Sequence, residues 1–276
     1  MFSVLLLTLN EEKNLPACLS CLAGCDDIVV IDSGSTDRTV ELARAAGAQV
    51  LTNRFVDFAN QRNFGLEHAQ FKHEWVLHLD ADEHLTPELF NECVETALRN
   101  PPDMDGYFIA PKMIYHGRWI PHCTDFPAFQ ARFGHIKRFR FVQVGHGQRE
   151  APHLRLGHFR HSYLHLLSAQ TDREIEQKHR RYAVEEAKAF LQRARTTTHR
   201  ITELFSVNKL NRRRALKALS QRLPAPGFFR FVYQYILRRG FLDGAAGLRY
   251  CVLLARYESW IATEIRRLRR SSQSSQ

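Results

Sequence analysis

Trp75-Val76-Leu77-His78-Leu79 is a mostly apolar run that stops abruptly at Asp80-Ala81-Asp82-Glu83. Apolar residues bounded by acids in this way read as a buried parallel strand whose C-terminal end delivers carboxylates to one edge of a sheet. A strand buried on both faces needs helices above and below it, so this segment alone directs the chain toward an α/β architecture. Open α/β sheets take their ligands at that edge. Two carboxylates separated by one small residue suit a hard divalent cation that can bridge to the oxygens of a diphosphate.

The preceding residues repeat the strand-then-helix pattern. Phe2 to Leu9 reads as a strand, and Asn14 to Leu22 as a helix with Asn14 as its cap and Pro16 in its first turn. Asp27 to Ile31 is a second strand ending at Asp32. Ser35 or Thr36 is expected to cap a helix from Asp37 to Ala46, closed by Gly47 before a third strand, Ala48 to Leu51. A helix from about Phe58 to Ala69 leads into the apolar run, and Thr86-Pro87 opens another that ends near Arg99. This order implies a mostly parallel sheet covered by helices on both faces. Beyond Asp105 short strands are expected at Gly106 to Ile114 and Ile136 to Val144, around a Pro-rich connection from Pro121 to Pro127. From Ser168 the pattern turns helical: Thr171 to Arg195, a basic segment to Leu223, a break at Pro224-Ala225-Pro226-Gly227, then Phe228 to Arg239 and Gly247 to Leu268.

Lys and Arg outnumber Asp and Glu 39 to 29, with the excess late in the 276-residue chain at Arg212 to Arg214, Arg238, Arg239, Arg266, Arg267, Arg269 and Arg270. Such a balance suits an anionic partner: nucleic acid, an anionic membrane surface or a phosphorylated substrate. No recognised nucleic-acid motif accompanies the charge, so nucleic acid is set aside. Phe228, Phe229, Phe231, Val232, Tyr235, Ile236 and Leu237, interleaved with Arg230, Arg238 and Arg239, suit an anionic bilayer surface as well as they suit a helix packed on the rest of the protein. The apolar N-terminus has no basic residue before it and Glu11-Glu12 behind it, which reads as a strand and not a signal peptide. No run reaches the roughly 18 apolar residues that span a bilayer, so a cytoplasmic location is expected, and with it reduced thiols for the six cysteines.

Three further loops fall at the same sheet edge. Asp32 is followed by Ser33-Gly34-Ser35-Thr36-Asp37, a turn into a helix N-terminus where an acid can accept hydrogen bonds from a base or ribose, or simply cap the turn. Thr8-Leu9-Asn10-Glu11-Glu12 ends the first strand. Asp57-Phe58-Ala59-Asn60-Gln61-Arg62-Asn63 opens a helix, with Arg62 able to reach phosphate and Asp57 or Asn60 able to cap. Two metal patterns are rejected. Cys18, Cys21 and Cys25 lack a fourth ligand and sit among core leucines. His153, His158, His161 and His165 lack closing ligands, although His161 and His165 could share an acceptor pocket.

The four loops together resemble the inverting glycosyltransferase family 2, of GT-A fold. The likeness is carried by Thr8 to Glu12, Val30 to Thr39, Phe58 to Asn63 and Leu79 to Glu83. Tyr235-Ile236-Leu237-Arg238-Arg239-Gly240-Phe241-Leu242-Asp243-Gly244 adds a narrower resemblance to bacterial lipopolysaccharide core glucosyltransferases that act on heptose. The resemblance implies an α/β GT-A catalytic domain over residues 1–165; the residue pattern beyond it gives a helical basic and aromatic extension over 166–270 that could touch a membrane surface, and the Ser-Gln tail over 271–276 is expected to be disordered.

It also implies site residues. Thr8, Asn10, Glu11, Asp32, Ser33, Arg62 and Asp80 would hold a nucleoside diphosphate sugar, expected to be a UDP-sugar. Asp82, with Asp80, would bind Mg²⁺ or Mn²⁺. The acceptor would be a saccharide or lipid-linked saccharide, with lipopolysaccharide inner core at the inner face of the inner membrane the first choice. A polyprenyl-phosphate or polysaccharide-assembly transferase and a non-catalytic sugar-nucleotide or membrane-binding protein are the alternatives. The general base that inverting transfer requires falls on Glu150, in Val144-Gly145-His146-Gly147-Gln148-Arg149-Glu150, where relatives carry Val-His-Glu; here Arg149 replaces the His. Asp125 is the runner-up and His146 the third choice. Arg132, in Gln130-Ala131-Arg132-Phe133, would approach phosphate or acceptor, or form a structural salt bridge.

Overall fold

The structure, a computed structural model, describes residues 1–124, 126–144, 147–167, 172–196 and 224–273. It contains two compact units, residues 1–114 with 125–169 and residues 115–124 with 170–276.

The first unit alternates strand and helix as its sequence pattern requires. β1 (Ser3–Thr8), α1 (Leu15–Ser20), β2 (Ile28–Asp32), α2 (Thr39–Ala45), β3 (Gln49–Thr52), α3 (Phe58–His68) and β4 (Trp75–Asp80) come first. The short β5 (Glu83–His84), α4 (Pro87–Arg99), β6 (Gly106–Ile109) and β7 (Lys112–Tyr115) follow. β1 pairs in parallel with β2 and β4, and β2 with β3; the register sets Thr8 beside Asp32, Leu7 beside Asp80 and Asp32 beside Thr52. Three strand ends, two of them acids (Asp32 and Asp80), therefore arrive at one edge. Successive side chains alternate between the two faces: Val4 and Leu6 pack with Leu15, Cys18, Leu89 and Cys93 of α1 and α4, while Leu5 and Leu7 pack with Leu66 of α3.

Two caps differ from expectation. Asn14 stands at the N-cap of α1, but its side chain donates to Glu11 Oε2 (2.6 Å) and caps nothing. α2 begins at Thr39, whose N–H is taken by Asp37 Oδ1 (3.0 Å), because Ser35 and Thr36 are engaged with the Asn10 loop. Asp57 caps α3 through Asn60 N (2.7 Å), and Thr86 caps α4 through Leu89 N (3.2 Å).

After α4 the expected long strands are broken. Gly106 to Ile114 divides at Ala110-Pro111 into β6 and β7, since Pro111 has no N–H to continue a ladder. Of the strand expected over Ile136 to Val144, the second half forms β10 (Phe141–Val144), while the first half is a turn, with Arg138 N and Phe139 N both donating to His135 O, that follows β9 (Gln130–His135). The apolar residues of that first half are spaced by a turn and not by strand alternation. β9 pairs antiparallel with β4 and β6, extending the sheet to the order β12-β6-β9-β4-β1-β2-β3, where β12 is Leu156–His158. β10 forms a hairpin with β11 (Gly147–Glu150), and β13 (Leu164–Leu166) pairs with β5 and β7 in a second sheet.

The second unit contains β8 (Arg118–Trp119), α5 (Asp172–Thr196), α6 (Pro226–Phe231), a π-helical passage (Val232–Leu237), a 3₁₀ turn (Gly240–Asp243) and α7 (Gly244–Gln273). The single helix expected from Phe228 to Arg239 is thus divided, and α7 runs into the segment expected as a tail. Ala183 and Ala187 of α5 meet Ile261 and Ile265 of α7, and the Arg180 guanidinium lies 4.6 Å from the Trp260 ring centroid. Asp243 pins residues 122 and 123 by accepting from His122 N (3.0 Å), Cys123 N (2.8 Å) and His122 Nδ1 (2.7 Å).

The placement of β9 depends on a glycine pair. Gly106 and Gly134 are register partners, and the buried Phe139 ring covers both; a Cβ on Gly106 would come within 2.7 Å of Phe133 O and 2.8 Å of Phe139 Cδ2. Gly106→Ala is expected to destabilise the protein by about 1–3 kcal/mol through overpacking, although Ala restricts the unfolded chain more than Gly does. Urea denaturation checks this, and unchanged or increased stability would contradict it.

Candidate functional site

The loops after β1 and β2 are stitched together. Thr8 Oγ1 donates to Asp32 Oδ1 (3.0 Å), Asn10 N to Ser35 Oγ (2.8 Å), Thr36 N to Asn10 Oδ1 (2.8 Å) and Glu11 N to Thr39 Oγ1 (2.7 Å). Asn10 adopts a left-handed conformation (φ 56°), which Asn tolerates better than most residues. Asp32 is only 2% exposed and also accepts from Gly34 N (2.9 Å), Ser35 N (2.8 Å) and Ser35 Oγ. Its carboxylate is therefore occupied in building the turn. Ser33 Oγ accepts from Gln61 Nε2 (2.8 Å), which also reaches Asn53 O (2.9 Å). Gln61, fully buried on α3, ties the β2 and β3 loops to that helix. The sequence reading gave it no role, though its place one residue before Arg62 was visible.

Beneath the end of β4 lie two guanidiniums and two carboxylates. Arg62 Nη2 donates to Asp80 Oδ1 (2.7 Å), and Arg132 Nη2 to Asp80 Oδ2 (3.2 Å) and Glu83 Oε1 (2.7 Å). Glu83 Oε2 closes the set by accepting from Asp80 N (2.8 Å). Arg132 reaches this point because β9 runs antiparallel to β4, which brings the start of one strand to the end of the other. The salt-bridge alternative for Arg132 is the one the structure shows.

The charges shift one another. Burial works against ionised Asp80, but Arg62 and Arg132 outweigh it and hold the carboxyl below its ordinary range. Burial, with Asp80 adding to it and Arg132 opposing, pushes Glu83 up to about 7. Burial pushes Arg62 down to about 10, so it stays a cation at neutral pH. The Arg62 guanidinium also lies 5.7 Å from the Phe141 ring centroid, and that of Arg132 5.6 Å from Tyr163.

Asp82 has a different environment. Its ion-pair partner among the described residues is His165, with Nε2 3.5 Å from Oδ2, and Leu166 N donates to Asp82 O (2.9 Å). Burial lowers the His165 pKa, yet Asp82, Glu83 and Asp80 together raise it above the ordinary value. His161 turns instead to Glu92 (Nδ1 to Oε2, 2.9 Å), so the two histidines have separate partners. Of the two carboxylates expected at a metal, Asp80 has both oxygens on arginines and Asp82 pairs with His165. Arg62 is likewise wholly buried and pairs with Asp80 (2.7 Å).

Glu150 ends β11 opposite Phe141. Directly opposed residues of an antiparallel pair project to the same face, so Glu150 shares its face of the hairpin with the ring beside Arg62. The hairpin is fixed to α3 by Asn63, whose side chain exchanges two hydrogen bonds with the Phe141 backbone (2.9 and 3.0 Å). Asp125 and His146 lie outside the described residues.

Removing one member of a buried ion network leaves its partners uncompensated, at a cost of about 3–5 kcal/mol. Arg132→Met is accordingly expected to lower unfolding free energy by about that amount. Guanidinium denaturation measures it; a loss as small as that of a surface substitution would show that the network does not hold the strand end.

Against known proteins, the chain is 33% identical over 131 residues to the lipopolysaccharide core biosynthesis glycosyltransferase LpsC of Rhizobium meliloti, covering 42% of this chain and 48% of that one. It is 36% identical over 113 residues to the undecaprenyl-phosphate 4-deoxy-4-formamido-L-arabinose transferase of Aeromonas hydrophila, covering 36% of this chain and 34% of that one. The chain spans less than half the length of these curated relatives. Among solved structures, residues 1–349 of Staphylococcus aureus TarS align with a TM-score of 0.43 and 18% identity over 98% of this chain and 91% of that one. The family model for glycosyl transferase family 2 matches residues 3–149, just over half of the sequence and all four stitched or charged loops, and the chain belongs to that family.

Proposed function

We propose that the protein transfers a hexose, glucose in the first instance, from a uridine diphosphate sugar to a hydroxyl of a saccharide acceptor with inversion, and that the acceptor is lipopolysaccharide inner core. The observation that carries this reading is the unequal treatment of two neighbouring carboxylates: Asp80 is neutralised by two arginines, whereas Asp82, among the described residues, pairs with His165 at the edge where the parallel strands end.

The donor set suits Mg²⁺ or Mn²⁺. Asp82 offers a hard oxygen and His165 a ring nitrogen, and among the described residues no group of three His, Cys, Asp or Glu side chains surrounds a common point. Hard cations with one or two protein ligands complete their shell with substrate phosphate oxygens and water. A divalent ion held by Asp82 and His165 would neutralise charge developing on the departing diphosphate. The arginine-bound Asp80 fixes the turn that presents Asp82. The stitched loops of Asn10, Glu11 and Ser33 supply backbone and side-chain groups for the nucleoside, with Thr8 and Asp32 shaping them from below. On the acceptor side Glu150 takes the proton from the attacking hydroxyl as the new glycosidic bond forms and the sugar–phosphate bond breaks.

A second reading, transfer to a polyprenyl phosphate, draws support from the likeness to the Aeromonas hydrophila transferase. The two differ in acceptor and share the donor half of the site.

Asp82→Ala is expected to abolish the Mn²⁺-dependent rise in melting temperature that UDP-glucose produces, because a ligand stabilises the folded state only to the extent that it binds. Glu150→Gln is expected to keep that rise and to lose transfer by about 10²-fold or more. Normal turnover by Glu150→Gln would remove Glu150 from the mechanism, and metal-independent donor binding by the wild type would remove Asp82. Transfer to heptose-terminated core oligosaccharide, compared with transfer to undecaprenyl phosphate, decides between the two acceptors.

A further inference from the structure

We propose that residues 226–243 of the second unit form a docking surface for an anionic lipid bilayer. The segment is folded inside out. A water-facing amphipathic segment turns apolar side chains inward and polar ones outward, but here Gln234 and Asp243 are each 2% exposed while Phe228, Ile236 and Leu237 are 64%, 54% and 69% exposed. The inward polar groups are held by specific bonds: Gln234 Nε2 donates to Cys123 O, and Asp243 accepts from His122 and Cys123. The segment cannot roll to bury its apolar side without breaking them.

Phe229, near the end of α6, and Tyr233, Ile236 and Leu237, in the π-helical passage, are all exposed. Phe241 and Leu242, at 48% and 49% exposure, extend this exposed apolar run past the helix end. A groove of about 330 Å³ bordered by Phe228, Phe231, Val252 and Trp260 continues it along α7. An exposed apolar run of this kind marks a site of contact with protein or membrane.

Charge identifies the occupant. Of the basic residues of the segment, Arg239 is exposed, while Arg230 and Arg238 are half-buried and Arg238 Nη2 donates to Thr124 O (3.2 Å); its one acid, Asp243, is buried, so the charge the segment shows to solvent is positive. Arginines interleaved with aromatic and aliphatic side chains are what an interfacial helix needs to rest among anionic headgroups, with its apolar face at the acyl boundary. A second copy of the same face would set like charges against each other. No described helix is long and apolar enough to cross a membrane, so the contact is one of lying on the surface. The inference goes beyond the transfer reaction and requires neither donor nor acceptor.

Flotation of the full chain with vesicles tests it. The wild type is expected to float with phosphatidylethanolamine vesicles containing phosphatidylglycerol, and far less with phosphatidylcholine alone. The double substitution Ile236→Glu, Leu237→Glu is expected to reduce that partition by about tenfold or more, and Arg239→Asn by less, with the circular dichroism spectrum and melting temperature of each variant unchanged. Failure of the wild type to float, equal flotation on both vesicle types, or undiminished flotation of the double variant overturns the proposal. So does light scattering that shows a wild-type dimer made monomeric by the double substitution with flotation unaltered. The assay contains no sugar nucleotide, so its outcome is independent of whether the donor reading holds.

Discussion

Two guanidiniums and two carboxylates at the end of β4 set the terms for everything built around them. Arg62 and Arg132 balance Asp80 and Glu83 in a space where Arg62 and Glu83 are wholly buried. Taking four charges from water is expensive, and their attraction offsets the cost only while all four keep their geometry. That condition fixes α3 through Arg62, β9 through Arg132 and the turn after β4 through the bond from Asp80 N to Glu83. The network is thus a reason for the arrangement of the site and a weak source of net stability.

The same network explains how neighbouring residues of like type come to differ. Asp80 and Asp82 are separated by one residue, yet two arginines hold the first ionised while the ion-pair partner of the second among the described residues is a histidine. A strand end that carries one carboxylate paired with arginines and one paired with a histidine keeps the two acids from repelling each other. His165 joins it because β13 pairs with β5, so a residue far along the chain is brought to the motif by backbone hydrogen bonds.

Much of the first unit was legible because its signals are local. Alternating apolar runs, Pro87 after Thr86 and Gly47 after α2 reveal themselves within a few residues, and the strand ends at Thr8, Asp32 and Asp80 followed from them. Where the reading slipped, the local signal was ambiguous. The strand expected over Ile136 to Val144 forms only from Phe141, because Phe139 folds back over Gly134, which the pairing of β9 with β6 requires. Asn14 and Ser35 are good caps by type, and each was claimed by a partner in another loop or an earlier residue.

By itself the sequence determined the α/β class, the edge at which the loops gather and the acids that mark it, because strand burial and parallel crossover depend on short-range patterns of polarity. Tertiary structure decided which acid is neutralised, that Arg132 is a structural partner of Asp80 and Glu83, that His165 faces Asp82, and that the aromatic stretch after Pro226 turns its apolar side outward. Each of these is a contact between residues dozens of positions apart, and its free energy depends on distance and burial, which a linear pattern does not contain.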